Sequence, residues 1–166
     1  MTGRVWCFGD DINTDLIVPG GRSSLPERER ALAAFSASRP GWATQVTAGD
    51  ILVAGRNFGT GSARPAAQIL RTLGVACVLA ESLNGLFFRS AVNAGCPAFA
   101  APGVSATFRE GDIARVSTAD WSIRNETTGA AVALTPFPAR LLALMLGGGV
   151  IPELERRGLI ISRSGP

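Results

Sequence analysis

The reading of this chain turns on residues 51–73, ILVAGRNFGTGSARPAAQILRTL. Ile51-Leu52-Val53-Ala54 is a short apolar run with the length of a buried strand. Gly55 to Gly61 is a glycine-rich loop, and Ser62-Ala63-Arg64-Pro65 leads into an apolar-periodic run ending at Leu73. Strand, glycine loop and helix start aim backbone N–H groups at one spot. The unpaired donors of a first helical turn and the positive end of its dipole favour an anion there. Ser62 is an N-cap type of residue, and Pro65 suits a first turn. Arg64 adds a fork of donors matched to a carboxylate or phosphate. A nucleotide fits poorly, because Gly59-Thr60-Gly61 lacks both the third glycine of a dinucleotide fingerprint and the Gly-Lys-Ser/Thr of a P-loop. A helix terminus contributes only about 0.3–1 kcal/mol to an exposed anion. Arg64 and other groups must therefore supply the rest, or the segment is simply a turn.

Outward from this stretch, Val75 to Ala80 (VACVLA) is a second continuous apolar run, and strand–helix–strand suggests a right-handed parallel crossover. Glu81-Ser82-Leu83-Asn84 opens a helix through Ala94, with Phe87, Phe88, Ala91 and Val92 on its core side and Gly95 as its natural stop. Pro97 to Ala101 reads as another strand. Upstream, Arg4 to Phe8 reads as a first strand, and Gly9 to Asp15 (GDDINTD) as a turn dense in acid and amide groups. Asp10, Asp11 and Asp15 fit local Asx-turn bonding better than a cation loop, whose spacing is absent. Leu16-Ile17-Val18 is a short apolar run, and Glu27 to Phe35 the helical middle of a polar segment. Downstream, Ile113 to Val116 and Trp121 to Ile123 lie in a β-rich stretch. Pro138 to Leu146 reads as a helix, and Glu153 to Arg157 as a short charged one. The expected layout is one α/β domain with mixed strands over residues 1–166, with residues 160–166 as a tail.

Composition narrows the function. The 166 residues are 46% hydrophobic and 17% charged, which argues for a compact fold with a sizeable core. A net charge of +3 without a basic stripe disfavours nucleic acid. No segment approaches the roughly 20 apolar residues of a membrane span. No secretory leader is expected from MTGRVWCFGDD. Cys7, Cys77 and Cys96 are widely spaced and fit free thiols in a reducing cytoplasm. The chain has no histidine, hence no catalytic histidine and no histidine metal site. Any chemistry rests on Asp, Glu, Ser, Thr, Cys or Arg, or comes from another chain.

Several motifs then converge on one resemblance. GDDINTD at 9–15 is similar to the GDNIDTD signature of the small subunits of 3-isopropylmalate dehydratases, the swivel domain of the aconitase superfamily. Asn57 to Arg64 (NFGTGSAR) resembles the family's NFGCGSSR loop. Ser82 to Pro97, Glu110-Gly111-Asp112, Thr127-Thr128-Gly129 and Gly147 to Pro152 follow in the family's order, so the resemblance spans nearly the whole chain. It implies a β/β/α swivelling domain that docks on a large subunit carrying a 4Fe-4S cluster, with the active site between the chains. The implied reaction is dehydration and rehydration of a hydroxy-dicarboxylic acid or its tricarboxylic kin. Ser62 matches the serine base, Arg64 the arginine that binds a substrate carboxylate, and Asp15 an active-site aspartate. Thr60, Gly61 and Ala63 match loop positions around the substrate. Pro19-Gly20-Gly21-Arg22-Ser23 stands where the family has PARYL, which makes Arg22 a candidate carboxylate contact.

The chain also departs from the pattern. The family's SSREHA reads Ser62-Ala63-Arg64-Pro65-Ala66-Ala67, and the cysteine of GCGS is Thr60. These changes open the substrate beyond leucine biosynthesis to methyl- or dimethyl-substituted malates, with Ser23 to Arg39 shaping the pocket. They also leave an alternative, a non-catalytic anion-binding or regulatory module that kept the fold.

Overall fold

A computed structural model of the chain describes residues 1–20, 25–62 and 64–161. In chain order the elements are β1 (Thr2–Cys7), α1 (Thr14–Ile17), α2 (Glu27–Leu32), α3 (Trp42–Gln45), β2 (Ile51–Ala54), α4 (Ala66–Thr72), β3 (Cys77–Ala80), α5 (Gly85–Ala94), β4 (Ala98–Ala100), α6 (Val104–Thr107), β5 (Ile113–Ser117), β6 (Ser122–Asn125), β7 (Ala131–Ala133), α7 (Ala139–Leu146) and α8 (Val150–Arg156). Among the described residues the strands form one seven-stranded sheet in the order β4-β3-β2-β1-β5-β6-β7. The β4-β3-β2-β1 half is parallel and the rest is antiparallel.

The parallel half explains the continuous apolar runs. Every residue of β2 and β3 is buried. Successive side chains point to opposite faces, so both faces must be covered. Leu52, Ala54, Val78 and Ala80 join Ile69, Leu70 and Phe87 in one cluster beneath the helices. Ile51, Val53 and Leu79 join Phe99, Val116 and Ile123 in a second, against the antiparallel ribbon. β5 alternates accordingly, with Ala114 and Val116 buried and Ile113 and Arg115 exposed. The result is the mixed-strand α/β architecture expected, a ribbon layer, a parallel layer and a helix layer.

Five elements differ from the sequence reading or go beyond it. In the short apolar run Leu16 to Val18, Leu16 and Ile17 are helical and Val18 alone is extended. A helical turn, α1, covers Thr14–Ile17 because the Asn13 side chain accepts from Leu16 N at 2.8 Å, the bond that defines an N-cap. α3 packs Trp42 into a cluster with Trp6, Phe8 and Phe35, four aromatics linked by ring-centroid distances of 4.4–6.1 Å. α6 and β7 are four- and three-residue pieces too short to carry a period. α8 starts at Val150 rather than Glu153, with Pro152 in its first turn, where a missing N–H costs little.

Asp50, at the entry to β2, ties the first two strands together. Its side chain is 6% exposed. It accepts from Trp6 Nε1 at 2.7 Å, Arg4 Nη2 at 2.9 Å, Thr47 N at 3.0 Å and Thr47 Oγ1 at 3.1 Å. The guanidiniums of Arg4 and Arg39 lie over the Trp6 ring, 4.5 and 4.8 Å from its centroid, where the ring's negative face attracts them. Burial works to raise the Asp50 pKa, but the donors from Arg4, Thr47 and Trp6 outweigh it and hold the carboxyl below its ordinary range. A depressed folded-state pKa stabilises above the unfolded pKa, and that stability is lost as pH falls through the folded value. Asp50→Asn is therefore expected to cost about 2–3 kcal/mol at neutral pH. The gap to wild type should close as pH falls below about 4. Urea unfolding of both proteins across pH tests this, and a gap that stays constant down to pH of about 3 refutes it.

Candidate active site

β1 and β2 are parallel neighbours, with Val5 opposite Ile51 and Cys7 opposite Val53. The loops leaving their carboxyl ends therefore emerge side by side, and they interlock. Gly55 N donates to Gly9 O at 3.1 Å, Asp11 N to Arg56 O at 2.8 Å, Gly59 N to Ile12 O at 2.7 Å and Thr14 N to Thr60 O at 2.8 Å. Thr14 Oγ1 donates to Ser62 O at 2.8 Å. Asp10 accepts from Arg56 N at 2.7 Å, Nη2 at 3.1 Å and Nε at 3.3 Å. The Arg56 amide first, then its side chain, holds the Asp10 carboxyl below its ordinary range. Asn57 Nδ2 donates to Asp11 Oδ1 at 2.9 Å. Both residues of that pair are left-handed, Asp11 at φ 55° and Asn57 at φ 59°. Their short polar side chains tolerate that conformation. The expected local Asx bonding is thus corrected for Asp10 and Asp11. Their partners lie 46 residues away, and they clamp one loop to the other.

The third carboxylate does something else. α1 carries Asp15 in its first turn, beside the glycine loop. Arg64 Nε donates to Asp15 Oδ1 in a close ion pair, and Ser62 Oγ donates to the same oxygen at 3.4 Å. The structure therefore brings Asp15, Ser62 and Arg64 together from two loops. The Arg64 side chain is 34% exposed and that of Asp15 58%. A pair so open to water contributes about 0–1 kcal/mol to stability, so its consequence is orientation. Arg64 is held by Nε, and its two Nη groups have no protein partner among the described residues.

Ser62 is not the N-cap the sequence suggested. α4 begins at Ala66 with Pro65 in the cap position, and no side chain caps it. Arg64 N donates to Ser62 O at 2.8 Å and Ala66 N to Arg64 O at 2.7 Å, so tight turns consume amides that a longer helix would have offered to an anion. The Gly59 amide is likewise taken. The amides of Thr60, Gly61 and Ser62 make no hydrogen bond among the described residues. Gly59 at φ 80° and Gly61 at φ 101° are both left-handed, and a Cβ on Gly59 would overlap the Phe87 side chain. Glycine is the residue that takes such a conformation without cost. Arg22 and Ala63 lie outside the described residues.

Beneath Ser62 and Arg64 lies a cavity of about 60 Å³ walled by Thr14, Leu86, Phe87 and Ser90. Leu86 and Ser90 are site residues that the sequence reading does not single out. Their signal is the spacing of four on α5, alongside the buried Phe87 and Ala91. Pro65 and Ala66 replace a glutamate and a histidine of the resembled motif; Pro65 is partly exposed and Ala66 is 1% exposed. The histidine's position is thus buried in the core, whereas Pro65 lies beside Arg64 at the surface.

An iron–sulfur cluster does not fit the residues this chain presents. Among the described residues no three Cys, His, Asp or Glu groups are placed to hold a metal ion. Cys77 and Cys96 are buried among apolar side chains, which pushes both thiols up, Cys96 to about 12. Burial first, then Glu110 and Asp112, raises Cys7, whose thiol donates to Phe108 O at 3.8 Å.

Comparison with known proteins follows the same lines. A family model described as the Aconitase C-terminal domain matches residues 32–98. The chain is 37% identical to 3-isopropylmalate dehydratase small subunit 1 of Methanopyrus kandleri over 160 residues, which are 95% of this chain and 94% of that protein. It is 40% identical to the methanogen homoaconitase small subunit of Methanothermobacter thermautotrophicus over 153 residues, 91% and 88% of the two chains. The crystal structure of a 3-isopropylmalate dehydratase from Methanocaldococcus jannaschii superposes with a TM-score of 0.88 at 30% identity, covering 99% of this chain and 98% of that one.

The crossing of Gly59 under Phe87 yields a stability test. Gly59→Ala combines a left-handed alanine, costing about 1–2 kcal/mol, with an overpacked contact of about 1–3 kcal/mol. Its urea midpoint is expected to fall well below that of Gly9→Ala, where a Cβ meets nothing within 4 Å. Equal midpoints would show that the two loops do not fit as described.

Proposed function

This chain belongs to the family of 3-isopropylmalate dehydratase small subunits, and from that premise we propose that Ser62, Arg64 and Asp15 are its contribution to an active site completed by a large subunit. The family's chemistry is that of a hydro-lyase, which removes water from a hydroxy acid and adds it back. The observation that carries the assignment is the convergence of Ser62 and Arg64 on one oxygen of Asp15, with both Arg64 Nη groups left over.

The proposed roles follow from that geometry. Asp15 fixes the Arg64 guanidinium by its Nε edge, so its Nη edge is presented to a substrate carboxylate. Ser62 Oγ takes the proton from the carbon beside that carboxylate. The C–H electron pair becomes the double bond, and the hydroxyl on the neighbouring carbon leaves as water after protonation by a group of the partner chain. Rehydration runs the same path backwards. A serine hydroxyl is a weak base, and Asp15 holds it as the protonated form in the isolated chain. The amides of Thr60, Gly61 and Ser62, together with Arg64, supply donors that stabilise the alkoxide once the partner adds positive charge and excludes water.

The family's 4Fe-4S cluster, borne by the large subunit in this reading, supplies Lewis-acid chemistry at the substrate. The substrate is a hydroxy-dicarboxylic acid, 3-isopropylmalate or a related substituted malate. Assembly takes place in the cytoplasm, and no described helix is long and apolar enough to cross a membrane.

Co-expression of the tagged chain with candidate large subunits, followed by anaerobic purification, tests the reading. A brown partner should co-purify and hydrate an unsaturated diacid, whereas a chain that stays alone and colourless with every candidate favours the non-catalytic module. In the assembled enzyme Ser62→Ala is expected to lower kcat by about a hundred- to ten-thousandfold with assembly intact. Arg64→Lys should lower kcat/KM by at least about tenfold, because a point charge does not replace a bidentate fork. Near-normal turnover of the Ser62 variant would remove the base assignment.

A further inference from the structure

From the cavity at Ser62 the surface opens, past Arg64, Leu86 and Ser90, into a groove of about 640 Å³ between α4, α5 and the start of α8. Its charged lining is Arg64, Arg71 and Arg89, and among the described residues no carboxylate lines it. Gln68 and Asn93 add amides, and Ile151 and Pro152 form an apolar rim, with Ile151 57% exposed.

The three arginines are not equivalent. Arg64 is held by Asp15. Arg71 Nη1 donates to Ala94 O at 2.6 Å and Gly148 O at 2.8 Å, which pins the glycine turn before α8 to the end of α5 and so builds the groove wall. Arg89 is exposed and has no ion pair or hydrogen bond among the described residues. One turn before it stands Gly85, where a Cβ would lie 3.9 Å from Arg89 Nη1. The guanidinium therefore lies back over a bare first turn of α5, open to the groove.

We propose that this groove seats an acidic segment of the large subunit, with a carboxylate on Arg89 and an apolar neighbour over Ile151 and Pro152. The inference rests on the two-chain reading above. Charge complementarity selects the occupant, since a lone guanidinium in a wall without carboxylates calls for an anion. The apolar rim beside it suits a polypeptide more than a small hydrophilic acid. Continuity points the same way. The groove shares Arg64, Leu86 and Ser90 with the cavity at Ser62. A partner must cover that cavity for the proposed chemistry, so a partner seated there reaches the groove as well. Arginines in such positions are frequent anchors of interfaces.

The test is the affinity of the full chain for its cluster-bearing large subunit, measured anaerobically by biolayer interferometry. Arg89→Glu should raise Kd at least about tenfold at about 50 mM salt, with the difference shrinking at about 0.5 M. Arg89→Lys should recover most of the affinity. Arg124→Glu makes the same charge change on the exposed side of β6 and should leave Kd within about twofold. Equal Kd values for the Arg89→Glu and Arg124→Glu variants would overturn the groove assignment. So would an unchanged Kd with a raised KM for the acid, which would make the groove a substrate subsite. A wild-type chain that binds no large subunit overturns the two-chain reading itself, a result distinguishable from wild-type binding with an indifferent Arg89 variant.

Discussion

The structure depends on the interlock of two loops that leave adjacent parallel strands. Because β1 and β2 end together, the peptides of residues 9–14 and 55–62 can satisfy one another as a short continuation of the sheet. Irregular backbone near a core leaves polar groups that must be paired, and here each loop is the other's partner. The Asp10–Arg56 and Asp11–Asn57 contacts then fix the register of that continuation, so that Thr14 meets Ser62 and Asp15 meets Arg64. Strand pairing places the two loops, and the exposed ion pair then orients the Arg64 side chain within that frame.

The same interlock sorts the acidic residues of one short motif. Asp10, Asp11 and Asp15 look alike in a sequence, yet two of them clamp the loops together and one meets Ser62 and Arg64. The glycines divide in the same way. Gly59 is required because Phe87 of α5 passes directly over it, and Gly61 because Thr14 approaches from the other loop. A loop pressed between a core aromatic and a neighbouring loop has little room to move, which suits the proposed site, whose groups must face a fixed direction.

Much of this was legible beforehand. Ile51–Ala54 and Val75–Ala80 are continuous apolar runs because both faces of a parallel layer are buried, and nothing polar interrupts the signal. Asn84 and Gly95 bracket α5 with standard cap chemistry, and the structure uses both. The pairing of Ser62 with Arg64 was visible only through resemblance, since spacing alone suggested an N-cap. The serine fails as a cap because Pro65 delays the helix to Ala66, and two tight turns intervene. Asp15 could be matched to a role, but its contact with Arg64 depends on strand pairing across 49 residues and leaves no local trace. Asp50 directly precedes the Ile51–Ala54 strand in the sequence. Its burial under Trp6 and Arg4 is a tertiary event, as is the α3 turn that delivers Trp42 to the aromatic cluster.

The sealed thiols have a consequence for handling and for the cell. Cys77 and Cys96 are buried and kept protonated, and Cys7 is half-covered with its sulfhydryl spent on a carbonyl. Thiolate is the form that oxygen and peroxide attack, so this polypeptide offers little to oxidise. Under the two-chain proposal, with the inorganic centre on the large subunit, aerobic damage would fall on that subunit and spare the thiols of this chain. On that proposal the small component is the durable half, reusable as an inactivated partner is repaired or replaced.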